Sequence, residues 1–187
     1  MATIKSDSVL DAKGLACPMP IVKTKKAMKD VGAGQVIEVQ ATDKGSKADL
    51  EAWAKSSGHH YLGTLEEGDV LSHYIRKSSG DETEEKQHPH TTTNEELVQH
   101  QAEGGIVLDV RESAEYAFGH IPKAISIPLG ELDTRMDELN QEDSIYVICR
   151  TGSRSDLAAQ KLSQNGFKDV VNVLPGMSEW PGEIEKL

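Results

Sequence analysis

The chain has 187 residues and carries 31 Asp and Glu against 20 Lys and Arg, a net charge of -11 with the histidines neutral. An acidic total of this size argues against general nucleic-acid binding, which needs a basic footprint. No apolar run approaches the ~20 residues of a membrane span, and the length suits two domains of roughly 80–100 residues.

The charge is uneven. Residues 1–79 hold 11 basic and 10 acidic side chains, residues 80–100 hold 1 and 6, and residues 101–187 hold 8 and 15. The first residues, Met1-Ala2-Thr3-Ile4-Lys5-Ser6-Asp7, lack the apolar segment of a secretion signal, so a cytoplasmic protein is expected. Two cysteines in a reducing compartment are read as reactive, metal-binding or inert thiols, not as a structural disulfide.

The first half reads strand, helix, strand, helix, strand, strand. Val9-Leu10-Asp11 leads through Gly14 to Cys17-Pro18-Met19-Pro20. Ile21, Thr24, Met28 and Val31 then recur at helical spacing, with Lys23, Lys25, Lys26 and Lys29 on the remaining surface. Val36–Val39 is the next strand. Ser46-Lys47-Ala48-Asp49 has the spacing of a capping box for a second helix with Leu50, Trp53 and Ala54 inward. Strands around Tyr61–Leu65 and Val70–Arg76 follow. Four strands covered on one face by two helices predict a two-layer α/β sandwich.

Residues 78–93 contain no large apolar side chain. Such a stretch buries too little surface to offset its ordering entropy, so a linker is expected over 79–92, dividing a domain at 7–78 from one at 93–187.

The second half alternates helix and strand: a helix over Asn94–Gln101, a strand over Ile106–Val110, a helix near Ala114–Phe118 and a strand over Ile125–Ile127. A helix over Gly130–Leu139 is expected next. Ile145-Tyr146-Val147-Ile148 is almost continuously apolar, as a central strand covered on both faces should be. A helix ending near Asn165-Gly166, the strand Val170–Val173 and a turn near Met177–Trp180 complete it. The alternation predicts a mostly parallel sheet with helices on both faces.

Cys149 closes the apolar strand and opens the loop Cys149-Arg150-Thr151-Gly152-Ser153-Arg154 before a helix. Ligands bind at such strand ends in open α/β sheets. A glycine-containing loop turns backbone N–H groups inward, and the helix start adds positive potential. With Arg150 and Arg154, these features are expected to favour a nucleophilic thiolate. Four residues separate Cys149 from Arg154, one fewer than in cysteine-dependent phosphatases. The smaller cradle suits a persulfide sulfur better than a phosphate. At Cys17 the two prolines of Cys17-Pro18-Met19-Pro20 sit where helix N–H groups have no intrahelical partner. They hold the thiol near a helix start, where the dipole favours a thiolate.

Residues 93–187 resemble a single-domain rhodanese. The matching segments are Asp109-Val110-Arg111-Glu112, Gly119-His120-Ile121-Pro122-Lys123-Ala124, the loop Cys149–Arg154 with Ser155, and Pro175-Gly176-Met177-Ser178-Glu179-Trp180. Lys123 stands where that family usually has Gly, and Pro175 where it usually has the first of two glycines. Residues 7–78 resemble the TusA-like (SirA-like) sulfur carriers through Gly14-Leu15-Ala16, the Cys17–Pro20 motif and Asp43, with Lys44 where that family often has Pro.

These resemblances imply a rhodanese-type sulfurtransferase. Cys149 would take sulfane sulfur from thiosulfate or a low-molecular-weight persulfide, with Arg150, Thr151, Gly152, Ser153 and Arg154 around the substrate. Cys17 would relay the sulfur to a thiol or protein acceptor. The alternative is a non-catalytic persulfide sensor or adaptor. Neither His59-His60 nor His88-Pro89-His90 has a cysteine pair at zinc spacing, so no metal and no cofactor is expected. A small-molecule donor and a thiol acceptor are the expected partners, with neither nucleic acid nor membrane.

Overall fold

The computed structural model describes residues 3–80 and 85–187, which separate into two compact units between Ser79 and Gly80. Residues 81–84 of the expected linker, and Met1 and Ala2 of the N-terminal stretch, lie outside the described residues.

The first unit runs β1 (Ser8–Ala12), α1 (Met19–Met28), β2 (Val36–Ala41), α2 (Ser46–Ser56), β3 (His60–Glu67) and β4 (Val70–Arg76). The sheet order is β1-β2-β4-β3. β1 and β2 are parallel, joined by α1 as a crossover, whereas β4 runs antiparallel to both its neighbours. Ala12, Ile37, Val39 and Ile75 on the sheet pack against Met28 from α1 and Leu50 and Ala54 from α2 in one apolar cluster. Burying a Leu or Ile side chain of this kind contributes about 1.5–3 kcal/mol. This is the two-layer sandwich that the apolar spacing predicts.

One local expectation fails here. α2 is not opened by a capping box: Gly45 occupies the cap position without a side-chain bond, and Ser46 is already helical. The Ser46 hydroxyl turns inward to His73 Nε2 at 2.8 Å, with both residues buried. A buried histidine nitrogen needs a partner, and that demand outweighs the cap.

The second unit contains β5 (Thr91–Thr93), α3 (Asn94–Ala102), β6 (Ile106–Asp109), α4 (Ser113–Phe118), β7 (Ile125–Ser126), α5 (Leu132–Arg135), β8 (Ser144–Ile148), α6 (Ser153–Gln164) and β9 (Asp169–Leu174). Its sheet is wholly parallel, in the order β5-β9-β8-β6-β7. Side chains of β8 alternate between two apolar clusters. Ile145 and Val147, followed by Cys149, face Leu132 of α5 and Ala158, Ala159 and Leu162 of α6, while Tyr146 and Ile148 join Leu97 of α3. Helices therefore cover both faces, and Cys149 belongs to the α5–α6 side.

Two expectations are corrected. The helix over Gly130–Leu139 is the single turn α5 between two 3-10 turns, Leu129–Glu131 and Met136–Glu138. A stretch with Gly130, Asp133 and Thr134 has weak helix propensity. Residues 87–92 of the expected linker are also ordered against the second unit and do not run free. The Gln87 and His88 N–H groups both donate to the buried Asp156, at 3.0 and 2.8 Å, and His88 Nε2 bonds Val170 O at 2.7 Å. Thr91–Thr93 then pair with Asn172–Leu174 as β5. Polar residues are ordered here by backbone hydrogen bonds, a contribution that counting apolar side chains misses.

Candidate functional site

Cys149 follows the last residue of β8, and its side chain is 1% exposed. Position alone would make it an apolar core thiol, but the following loop turns back over it. Gly152 adopts φ +95°, in the left-handed region that glycine enters without strain, and its N–H donates to Cys149 Sγ at 3.1 Å. A Cβ at Gly152 would press on Leu174 Cδ2 and Lys86 Cε, the ends of two flexible side chains. The positive φ, more than the space, is what favours glycine here.

Ser155, on the first turn of α6, stands on the other side of the sulfur with Oγ 3.3 Å from Sγ. Its hydroxyl proton goes to Asn172 Oδ1 at 2.6 Å, which leaves its oxygen as an acceptor facing the thiol. Asn172 Nδ2 in turn donates to Gly152 O at 3.1 Å. Asn172 thus ties the loop to the helix start from below.

The loop is fixed from a second side. The Met177 and Ser178 N–H groups donate to Cys149 O and Arg150 O at 2.8 and 2.9 Å. Gly176 makes this approach possible, since a Cβ there would lie 2.6 Å from Cys149 O.

The expected substrate residues do not all converge on the sulfur. Gly152 does. Arg150 and Thr151 are half-buried on the loop. Ser153 is buried with no hydrogen-bond partner for Oγ among the described residues, and it lines a cleft of about 80 Å³ with Lys86, Gln87 and Asp156. Arg154 gives both terminal nitrogens to Glu115 of α4. Burial opposes its charge, but the hydrogen bonds and charge of Glu115, with a smaller pull from Cys149, hold the Arg154 pKa above its ordinary value. Arg154 therefore adds positive potential beside the thiol while its donors point elsewhere.

Asp109 and Arg111 form a second buried pair, with Arg111 Nε and Nη2 on the carboxylate and Nη2 also on Gly119 O. His120 stacks on Tyr116 and bonds Tyr116 O through Nδ1 at 2.8 Å. Both arrangements hold the fold.

Cys17 in the first unit is exposed and free, two residues before α1. Its N–H donates to Asp43 Oδ2 at 2.9 Å, and its thiol donates to Asp49 Oδ2 at 3.1 Å. The Asp49 hydrogen bond, then desolvation and the charges of Asp49 and Asp43, push the thiol pKa above its usual 9.0. The electropositive setting expected from the helix start is corrected. The first turn of α2 packs beside that of α1 and brings a carboxylate to the sulfur.

Four residues at these centres were not read from sequence as site residues: Asp49, Glu115, Ser155 and Asn172. Asn172 left the clearest signal, as one polar residue inside the apolar strand Val170-Val171-Asn172-Val173. Ser155 closes the matched Cys149 loop segment, whereas nothing local ties Asp49 or Glu115 to a sulfur.

Comparison with known proteins agrees in both halves. Residues 8–77 match the family model described as Sulfurtransferase TusA, and residues 93–183 match the one described as Rhodanese-like domain. The Bacillus subtilis protein named "Putative sulfur carrier protein YrkF" is 53% identical over 97% of this chain and 100% of its own length. The shorter "Putative sulfur carrier protein YrkI" of the same organism is 64% identical over 40% of this chain and 99% of itself. A crystal structure of a rhodanese-like domain protein from Staphylococcus aureus is 33% identical, with a TM-score of 0.49 over 52% of this chain and 98% of that one.

Proposed function

From the premise that this chain belongs to the family of sulfur carrier proteins joining a TusA domain to a rhodanese-like domain, we propose that it moves sulfane sulfur between Cys149 and Cys17. Residues 7–78 are assigned to the carrier and residues 93–187 to the rhodanese domain. The donor is thiosulfate or a low-molecular-weight persulfide. Cys149 thiolate attacks the outer sulfur of the donor, and the donor's S–S bond breaks with its electron pair on the leaving group, sulfite in the case of thiosulfate. Cys149 keeps the sulfur as a persulfide. Cys17 then attacks the outer sulfur of that persulfide and passes it to a thiol acceptor. Transfer from Cys17 to Cys149 uses the same bonds in reverse.

One observation carries this reading: the Gly152 N–H lies 3.1 Å from Cys149 Sγ in a loop closed on both sides. A backbone donor aimed at a sulfur stabilises negative charge there, which an inert core thiol does not require. The half-buried Arg150 and Thr151 are assigned to the rim that receives the donor, Gly152 to the sulfur itself, and the buried Ser153 and Arg154 to holding the loop behind it. A cytoplasmic setting fits two free cysteines. Among the described residues no helix is long and apolar enough to cross a membrane.

The near-complete burial of Cys149 favours a second reading, a sensor or adaptor that is modified without turnover. Intact mass spectrometry of the full chain after donor treatment separates the two. The relay predicts one added sulfur on wild type, none on Cys149→Ser with thiosulfate, and continuous thiocyanate release when cyanide is supplied. Full turnover by Cys149→Ser overturns the assignment, and modification without turnover supports the sensor.

A further inference from the structure

The reading of Cys17 as a sulfur acceptor leaves its proton unaccounted for. Sulfur attack requires a thiolate, yet the charged groups acting on Cys17 are two carboxylates, Asp49 and Asp43. Neither favours a standing negative charge on the sulfur. The proton must therefore leave as the new bond forms, to an acceptor already in place.

The two carboxylates differ in what they hold. Asp43 Oδ2 accepts the Cys17 N–H at 2.9 Å and Oδ1 accepts the Gly45 N–H at 3.1 Å. Both its oxygens serve the backbone of the turn. Asp49 Oδ2 instead receives the thiol itself at 3.1 Å, within the reach of a general base. Its position is set by its neighbours: Leu50 is fully buried in the core beneath α2, and Ser46 is bonded to buried His73. The carboxylate comes from a helix held on two inner contacts and faces an exposed sulfur.

We propose that Asp49 is the catalytic base that takes the Cys17 proton when Cys17 accepts a sulfur atom. As Cys17 Sγ bonds to the outer sulfur of a donor persulfide, the S–H proton passes to Asp49 Oδ2. The donor's S–S bond breaks with its electron pair on the inner sulfur, which leaves as a thiolate. A neutral thiol, a neutral persulfide and a carboxylate become a new neutral persulfide, a thiolate and a carboxylic acid. The charge is conserved and no oxidant is needed.

The test uses the full chain carrying Cys149→Ser, so that Cys17 alone reacts, with glutathione persulfide as donor. Single-turnover loading is followed by rapid quench and intact mass across pH, with and without Asp49→Asn or Asp49→Glu. Asp49→Asn is expected to slow loading about a hundredfold near neutral pH. The gap should close at strongly alkaline pH, where the thiol ionises unaided, and Asp49→Glu should restore most of the rate. Iodoacetamide alkylation should show the Asp49→Asn thiol ionising at lower pH, and a urea midpoint like that of the parent chain, read from Trp53 in a Trp180→Phe background, separates this from a lost fold. Equal or faster loading by Asp49→Asn near neutral pH overturns the proposal, since Asp49 would then only restrain the thiol. If the Cys149→Ser chain takes no sulfur at any pH, the acceptor reading of Cys17 itself falls.

Discussion

Arg154 and Glu115 meet through two parallel hydrogen bonds of 2.7 and 2.9 Å, and both side chains are buried. The pair joins the first turn of α6, directly after the Cys149 loop, to α4. A buried charge that loses its partner keeps its desolvation cost, so Glu115→Gln should destabilise the second unit by about 3–5 kcal/mol. Urea unfolding read by Trp180 fluorescence in a Trp53→Phe background measures it. Replacing both residues, with Glu115→Met and Arg154→Leu, should recover most of that stability while sulfur loading of Cys149 remains impaired. Equal stability for wild type and Glu115→Gln would mean that the pair holds nothing.

Lys123 has φ +65° and is the one non-glycine residue with positive φ among the described residues. It also stands where rhodaneses usually carry Gly. The left-handed conformation costs an L-residue about 1–2 kcal/mol, partly offset by the greater entropy that glycine loses on folding. Lys123→Gly should therefore raise stability by about 0.5–1 kcal/mol without changing sulfur transfer. A lower urea midpoint than wild type would refute this account of the departure.

His73 gives the first unit a defined response to acid. Burial, with a smaller push from Lys47, lowers its pKa from 6.5 to about 4. The folded state thus holds a neutral ring, bonded to Ser46 at one nitrogen and to Tyr61 and Thr64 at the other. The unfolded chain takes up a proton as pH falls below 6.5, so stability present at neutral pH is lost between 6.5 and about 4. The loss should reach about 2 kcal/mol after allowance for solvent screening. Urea midpoints read from Trp53 in a Trp180→Phe background should show this slope. His73→Gln should flatten it, and an unchanged slope in that variant would exclude His73 as its source.

Much of the architecture was legible in advance because it depends on local periodicity. Ile145–Ile148 reads as a strand buried on both faces, and Tyr146 and Ile148 do pack opposite Ile145 and Val147. The helix after Cys17 and the two-layer packing of the first unit follow from apolar spacing in the same way. Errors fell where an element depends on a distant partner. Ser46 looked like a cap until His73, 27 residues away, claimed its hydroxyl. Thr91 and Thr92 fall in the expected linker, yet β9 supplies them with hydrogen bonds.

The amino-acid order by itself determined the division into two α/β units, the placing of each cysteine between a strand and a helix, and the glycine that lets the Cys149 loop close. Those features arise within a few consecutive residues, where backbone sterics and side-chain period act. Tertiary structure alone decided which distant side chains meet around each thiol. Asp49 reaches Cys17 across 32 positions, Glu115 reaches Arg154 across 39, and Asn172 reaches Ser155 across 17. Coulomb and hydrogen-bond forces depend on distance in space, and the chain reveals that distance only when its helices have packed.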